Sequence, residues 1–495
     1  MDERFPALKL RKIRRTLPAA VIAALLFAGG IAAGPEPVRS GRAKTALSAE
    51  IQTLDNAFRI DIKTIDVLLT YHPGQAVVDG DATLVFKMRP DQRRPLIHFD
   101  PAVRGQVVSS ISLDGEALGV ADPAAVKVVE FAGTTQKAVE FQRDLTADAE
   151  HRLKMSYRLT LPDAYPRFST EVNDIFGRGN EELFPTLNTP HELARHRITL
   201  RVAGSVPYRC LGSGLVRKIS AAPQEWLLDT EREVASYTVM FALLPESDTV
   251  WDERTIAGVP VRILAFAGGA SISEAIVKLN GWLPQIIGEI GPFPMPRGLS
   301  VFLVSGGGGM EYFGGTISSV SALRHEVFHM YFGCSAVART YRDSWWDEAI
   351  TSWYEETYTS TFVPLDPGYR SNMVSGRSAI AVGFDRRAYF EGTQIVEAMA
   401  VRVGGRAGLA RFLNYVHRNH AFSPFGTLDL AEYFRQYSGA DMRAQFINWL
   451  YNGRTPETSS SMRTLAPHKT PDLTPPRSIL RKYGLDKKSG TEAAR

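Results

Sequence analysis

His325-Glu326-Val327-Phe328-His329, followed downstream by Ser344-Trp345-Trp346-Asp347-Glu348-Ala349, is the stretch on which the reading of this chain turns. Residues four apart share one face of a helix, so both imidazoles can reach a single ion. Glu326 can lie beside such an ion without binding it, where it could take a proton from water. Val320, Leu323, Val327 and Phe328 supply the apolar face of the helix, and Gly333 predicts its stop. Eighteen residues separate His329 from Glu348. A second helix is predicted to start near Ser344 and to run through Ala349, Ile350 and Trp353, with Glu348 on its first turn. Two histidines and a glutamate leave a fourth position open, which is the arrangement of a catalytic zinc rather than of a closed structural one.

Other histidine pairs do not compete. His191 and His196 are five apart, which on a helix would splay the rings by about 140°, and a surface or hydrogen-bonded role is expected. His417 and His420 have no acidic ligand nearby, and a solvated face is expected for both. Ser305-Gly306-Gly307-Gly308-Gly309-Met310-Glu311-Tyr312 follows an apolar run. No Gly-Lys-Ser/Thr completes a phosphate loop. The alternative is a flat sheet edge that a peptide backbone can approach, with the Glu311 carboxylate at one end.

The 495 residues hold 57 Lys+Arg and 53 Asp+Glu, with 44% hydrophobic and 22% charged residues. This is globular composition, with length for about two or three domains. Two cysteines exclude a disulfide scaffold. A Cys210–Cys334 bridge and two buried thiols are both open. The net +4 resides at the ends. The first sixteen residues carry six basic and two acidic side chains, and residues 457–495 carry eight and four. The body between them has 43 basic and 47 acidic residues, which gives no support for a polyanion partner, nucleic acid included. The apolar run Ala19 to Ala33 behind the basic cluster reads as an export signal or, uncleaved, as a membrane anchor over residues 17–34. Either way the positive-inside rule leaves the body outside the cytoplasm, periplasmic or extracellular. After Pro456 the sequence reads as a loose basic tail.

The expected organisation is multidomain α+β. Residues 1–34 form the leader and 50–248 a β-rich sandwich or saddle. Residues 249–455 form a thermolysin-like α/β catalytic domain, and 456–495 the tail. Ile60-Asp61-Ile62-Lys63 and Arg197 to Val202 alternate as half-buried strands. Asp79-Gly80 and Asp114-Gly115 predict turns, and Tyr237 to Leu244 a buried strand. Val259 to Phe266 and Leu299 to Val304 are strands flanking a helix over Ile272 to Ile287, which Pro284 is expected to break or kink. Helices dominate from Ser319 to Tyr451.

The chain resembles the M1 family of zinc aminopeptidases, in the gluzincin clan. Tyr331-Phe332-Gly333 is similar to the family's W-F-G, and Asp343 to Ala349 to its D-x-W-L-N-E-G. Gly308-Gly309-Met310-Glu311 resembles G-x-M-E-N, and Tyr389-Phe390-Glu391-Gly392 resembles Y-E-K-G. Weaker similarity spans about residues 55 to 455, including Phe184-Pro185 to Pro190 and Phe412 to Trp449-Leu450. The resemblance implies one zinc per chain on His325, His329 and Glu348, with Glu326 as general base. It implies that Tyr389 stabilises the oxyanion and that Gly308, Gly309, Met310 and Glu311 bind the peptide, Glu311 taking its free amine. Tyr312 replaces the family's Asn. Glu171 and Asp174 are the candidates for a second amine-binding group. Only a short tail follows Trp449, so the likeness is to a short form without the large helical C-terminal domain. A peptidase of internal bonds, or a dedicated processing protease, is the alternative activity, and a silent peptide-binding module the non-enzymatic one.

Overall fold

In the computed structural model, residues 59–99, 107–120, 122, 124–130, 137–161, 168–169, 183–356, 362–377 and 383–454 are described. The leader, the tail, Glu171 and Asp174 lie outside them. The strand Ile60–His72 buries Ile60, Ile62, Ile65, Val67, Leu69 and Tyr71. The three-residue step from Ile62 to Ile65 breaks the period of two. A register shift between Ile62 and Thr64 absorbs it, which is how a bulge keeps both halves of a strand facing one core. This strand is central to an eight-stranded sheet ordered 215–221, 224–235, 193–202, 60–72, 77–88, 150–160, 107–113, 116–118. Its pairing with Leu193–Val202 is parallel, and the other pairs in the sheet are antiparallel. Two three-stranded sheets complete the β-rich part.

The mixed part opens with a five-stranded sheet ordered 249–256, 259–266, 299–303, 315–318, 309–312. Helix α1 (Ile272–Ile290) makes the crossover that the parallel pair 259–266 and 299–303 requires. Ser271 caps it by accepting from Glu274 N–H, and Ala275, Leu279, Leu283, Ile286 and Ile290 form its buried stripe. Among the described residues six helices follow: α2 (Leu323–Phe328), α3 (Trp345–Glu356), α4 (Glu391–Arg402), α5 (Arg406–His420), α6 (Thr427–Ser438) and α7 (Arg443–Tyr451). One large hydrophobic cluster runs from Ile60 to Tyr451, and a smaller one gathers Leu211, Met240, Ala242, Leu244, Leu264 and Phe302. The β-rich part followed by an α/β and then helical part is the expected fold class. Among the described residues no helix is long and apolar enough to cross a membrane.

Several local expectations need correction. Asp114-Gly115 does turn a hairpin, both residues having positive φ. Asp79-Gly80 does not: it lies inside the strand Val77–Met88, and the chain turns at residues 73–76 instead. Gly80 pairs with Tyr157, and a Cβ there would sit 2.3 Å from the tyrosine ring, so this glycine makes room across strands. Helix α1 is not broken at Pro284 and continues to Ile290. The strand expected from Tyr237 begins at Phe241, after a 3-10 turn over Ser236–Thr238. His417 is buried against the ring of Tyr331 rather than solvated. His196 is buried as well, with Nε2 2.9 Å from Ser236 Oγ, which is the hydrogen-bonded of the two roles expected for it. Cys210 and Cys334 are free and buried.

Candidate metal centre

Helix α2 is shorter than the motif suggested. It ends at Phe328, and His329 is its C-cap, still in helical conformation with its N–H bonded to His325 O. The four-residue spacing therefore survives, and the two imidazoles meet edge to face with centroids 4.7 Å apart. Helix α3 is bound to α2 by the stack of Phe328 on Tyr354, 4.0 Å between centroids. That contact fixes Glu348, on the first turn of α3, opposite both histidines. Its Oε2 lies 3.1 Å from His325 Nε2 and 3.4 Å from His329 Nε2. Donor atoms of His325, His329 and Glu348 all lie within 4.8 Å of one another, which suits one divalent ion of the zinc type.

The opposite ring nitrogens are also occupied. His325 Nδ1 lies 3.0 Å from Glu355 Oε2, and His329 Nδ1 lies 2.6 Å from Asp347 Oδ1 and 3.0 Å from Phe332 O. A carboxylate at Nδ1 keeps the proton there, so that Nε2 presents its lone pair to the ion. Sequence reasoning did not assign these roles. A signal was available for Glu355, seven residues after Glu348 and thus on the same face of α3 two turns on. Gly333, read as a helix stop, has a positive φ, and a Cβ there would come within 2.7 Å of Asp347 Oδ1 and 3.1 Å of His329 Nδ1. The glycine thus makes room for the Asp347–His329 contact.

Glu326 is not in the group formed by the three ligands but lies beside one of them. With Glu311 and His329 it forms a second group whose donor atoms lie within 4.8 Å of each other. Glu311 belongs to Gly309–Tyr312, the last strand of the five-stranded sheet. Gly308 precedes that strand with a positive φ, and its carbonyl accepts from Ser319 N–H. Met310 is exposed on the strand. Tyr389 comes from another element, at the end of a 3-10 turn before α4, with its ring 6.3 Å from that of His325 and its hydroxyl under the influence of Glu348. Gly392 permits this, because a Cβ there would sit 2.7 Å from Ala349 Cβ. His325, His329, Glu348, Glu326 and Glu311 therefore lie together, with Gly309 against Glu326 and the Tyr389 ring beside His325.

This group of side chains holds more carboxylates than imidazoles. Burial, and then the charge of Glu311, raise Glu326 to about 8. Burial, joined by Glu348, raises Glu311. Burial raises Asp347 to about 7 even beside His329. Burial opposes charge on His325, yet Glu348 and Glu355 lift it to about 9. Burial also opposes charge on Glu348, but the two imidazoles hold it well below the usual carboxylate range. A cation among these groups would favour the unprotonated imidazoles and the charged carboxylates.

No protein-family model and no curated protein matches the sequence. Solved structures do match. The M1 zinc metallopeptidase from Deinococcus radiodurans is 19% identical with a TM-score of 0.59, covering 80% of this chain and 95% of that one. Aminopeptidase A from Legionella pneumophila is 12% identical with a TM-score of 0.64, covering 79% of this chain and 49% of that one. Leukotriene A4 hydrolase from Saccharomyces cerevisiae is 12% identical with a TM-score of 0.60, covering 86% and 72%. This chain has the fold those three structures share.

Proposed function

We propose that this protein is a zinc-dependent metallopeptidase that removes N-terminal residues from peptides outside the cytoplasm. The observation that supports it most is the convergence of His325, His329 and Glu348 on one point, with Glu326 and Glu311 beside His329 and Glu311 on the outermost described strand of its sheet. Zinc, when bound by the three ligands, supplies Lewis acidity to the scissile carbonyl and makes water a better nucleophile. Glu326 takes the proton from the attacking water and passes it to the leaving nitrogen. The Tyr389 hydroxyl donates to the developing oxyanion. Glu311 pairs with the α-ammonium group, so the peptide begins there and its backbone lies along Gly309–Tyr312. A mutant of the Deinococcus enzyme has been solved with a Tyr-Ser-Ala substrate, which agrees with a peptide ligand. Export through residues 1–34 belongs to the same proposal.

The test pairs metal analysis of the purified protein with hydrolysis of amino-acid arylamides and of N-blocked peptides. One zinc per chain and cleavage restricted to free amines is the expected result. Cleavage of blocked peptides alone would establish an endopeptidase. Full zinc content without turnover of either would establish a peptide-binding module.

Gly309 gives a sharper prediction. A Cβ at this position would lie 2.6–2.7 Å from Cγ, Cδ and Oε1 of Glu326. The end of a side chain can move, so Gly309→Ala should fold and keep zinc while displacing the base. Its kcat should fall by about 10- to 100-fold, the usual effect of a misplacement near 1 Å. Steady-state kinetics with parallel zinc analysis checks this, and unchanged kcat would mean that Glu326 is not held where the reaction needs it.

A further inference from the structure

Tyr389 closes a turn of only four residues, Arg386–Tyr389. So short a 3-10 segment has few bonds of its own, and its place must be set from outside. Arg387 provides the link. Asp385, the N-cap of the turn, accepts from Arg387 N–H and Nε at 3.0 Å each and from Nη2 at 2.7 Å. The same guanidinium donates from Nη1 to Ser371 Oγ at 2.9 Å and from Nη2 to Asn372 Oδ1 at 3.0 Å. All three of its nitrogens are engaged.

Ser371 and Asn372 belong to a strap, residues 362–377, which has neither helix nor strand. The strap is fastened along α7. Ser371 N–H donates to Asn448 O, Asn452 N–H to Ser371 O, and the N–H groups of Val374 and Ser375 to Leu450 O. Trp449 Nε1 donates to Asp366 O at 2.7 Å. Just past the turn, Tyr369 OH donates to Glu391 Oε1 at 2.9 Å. A continuous hydrogen-bonded path thus leads from the last described helix to the turn that carries the phenol.

We propose that Arg387 is a positioning residue for Tyr389, tying its turn through Ser371 and Asn372 to α7 so that the hydroxyl is held against Glu348. The proposal rests on the oxyanion role given to Tyr389 above. Arginine suits the task because its planar fork bonds several acceptors in fixed directions, which an ammonium does not. The side chains of Arg387 and Asp385 are 36% and 19% exposed. Exposed ion pairs add little to stability, so what this one contributes is direction. An oxyanion donor is effective only when its place is set before the reaction.

The test compares zinc-loaded full-length wild type with Tyr389→Phe, Arg387→Ala and the double variant on an amino-acid arylamide. Arg387→Lys and Asn372→Ala serve as milder forms should Arg387→Ala not fold. Tyr389→Phe should lower kcat by about 100-fold. Arg387→Ala should lower kcat by about tenfold, with KM, zinc content and melting temperature little changed. Added to Tyr389→Phe, it should cost less than about twofold, because the residue it positions is gone. An equal loss in both backgrounds, or a normal kcat for Arg387→Ala beside an impaired Tyr389→Phe, would overturn the anchoring alone. A normal kcat for Tyr389→Phe would overturn the role of Tyr389, and the anchoring with it.

Discussion

Glu326→Gln should leave the zinc content at one per chain and lower kcat/KM by about 10²- to 10⁴-fold, the contribution of a positioned general base. Glutamine keeps the volume and one carbonyl acceptor, so the pocket against Gly309 stays filled. It cannot take a proton. The ligand group His325, His329 and Glu348 does not include Glu326, so metal binding should be spared. Stability should not suffer, because burial and the neighbouring Glu311 both work against charge on Glu326. Removing that carboxylate relieves a cost. Metal analysis, arylamide kinetics and a melting curve on one preparation check all three expectations. Retained activity would refute the role of base. Lost zinc would mean that Glu326 binds the ion.

Glu348→Gln should fail differently, losing zinc and activity together. The Glu348 carboxylate is the group that both Nε2 atoms face. It is 8% exposed, so no water replaces it cheaply. A neutral amide is a poor ligand for zinc beside two imidazoles. The loss of affinity should exceed the about 10- to 100-fold typical of removing an outer hydrogen-bond partner of a metal ligand. Zinc at 100 times its dissociation constant should stabilise wild type by about 2.7 kcal/mol. The variant should gain almost none at the same concentration. Melting curves with and without zinc, and zinc retention against a chelator, measure this. A variant that retained zinc at wild-type affinity would remove Glu348 from the ligand set.

Much of the site was legible in the sequence because its key relations are local. Four residues separate the histidines along one helical turn, and Glu348 opens a helix whose apolar positions announce it. The alternation around Ile60 and Arg197 likewise marks half-buried strands without knowledge of their partners. Errors arose where a residue answers to a distant neighbour. Asp79-Gly80 has the composition of a turn, but Gly80 is there because Tyr157 crosses it. His417 looked solvated on its own helix, and only Tyr331, from another part of the chain, reveals its burial.

By itself the sequence picked out His325, His329, Glu348 and Glu326 as a group and gave the order of β-rich and helical parts. Each is written in spacings of a few residues or in the character of long stretches. Tertiary structure alone decided which imidazole nitrogen faces Glu348, through Asp347 and Glu355. It also decided why Gly309 and Gly333 lack side chains, and how Arg387 joins the turn of Tyr389 to α7. Those features depend on distances between segments far apart in sequence, and backbone periodicity carries no record of such distances.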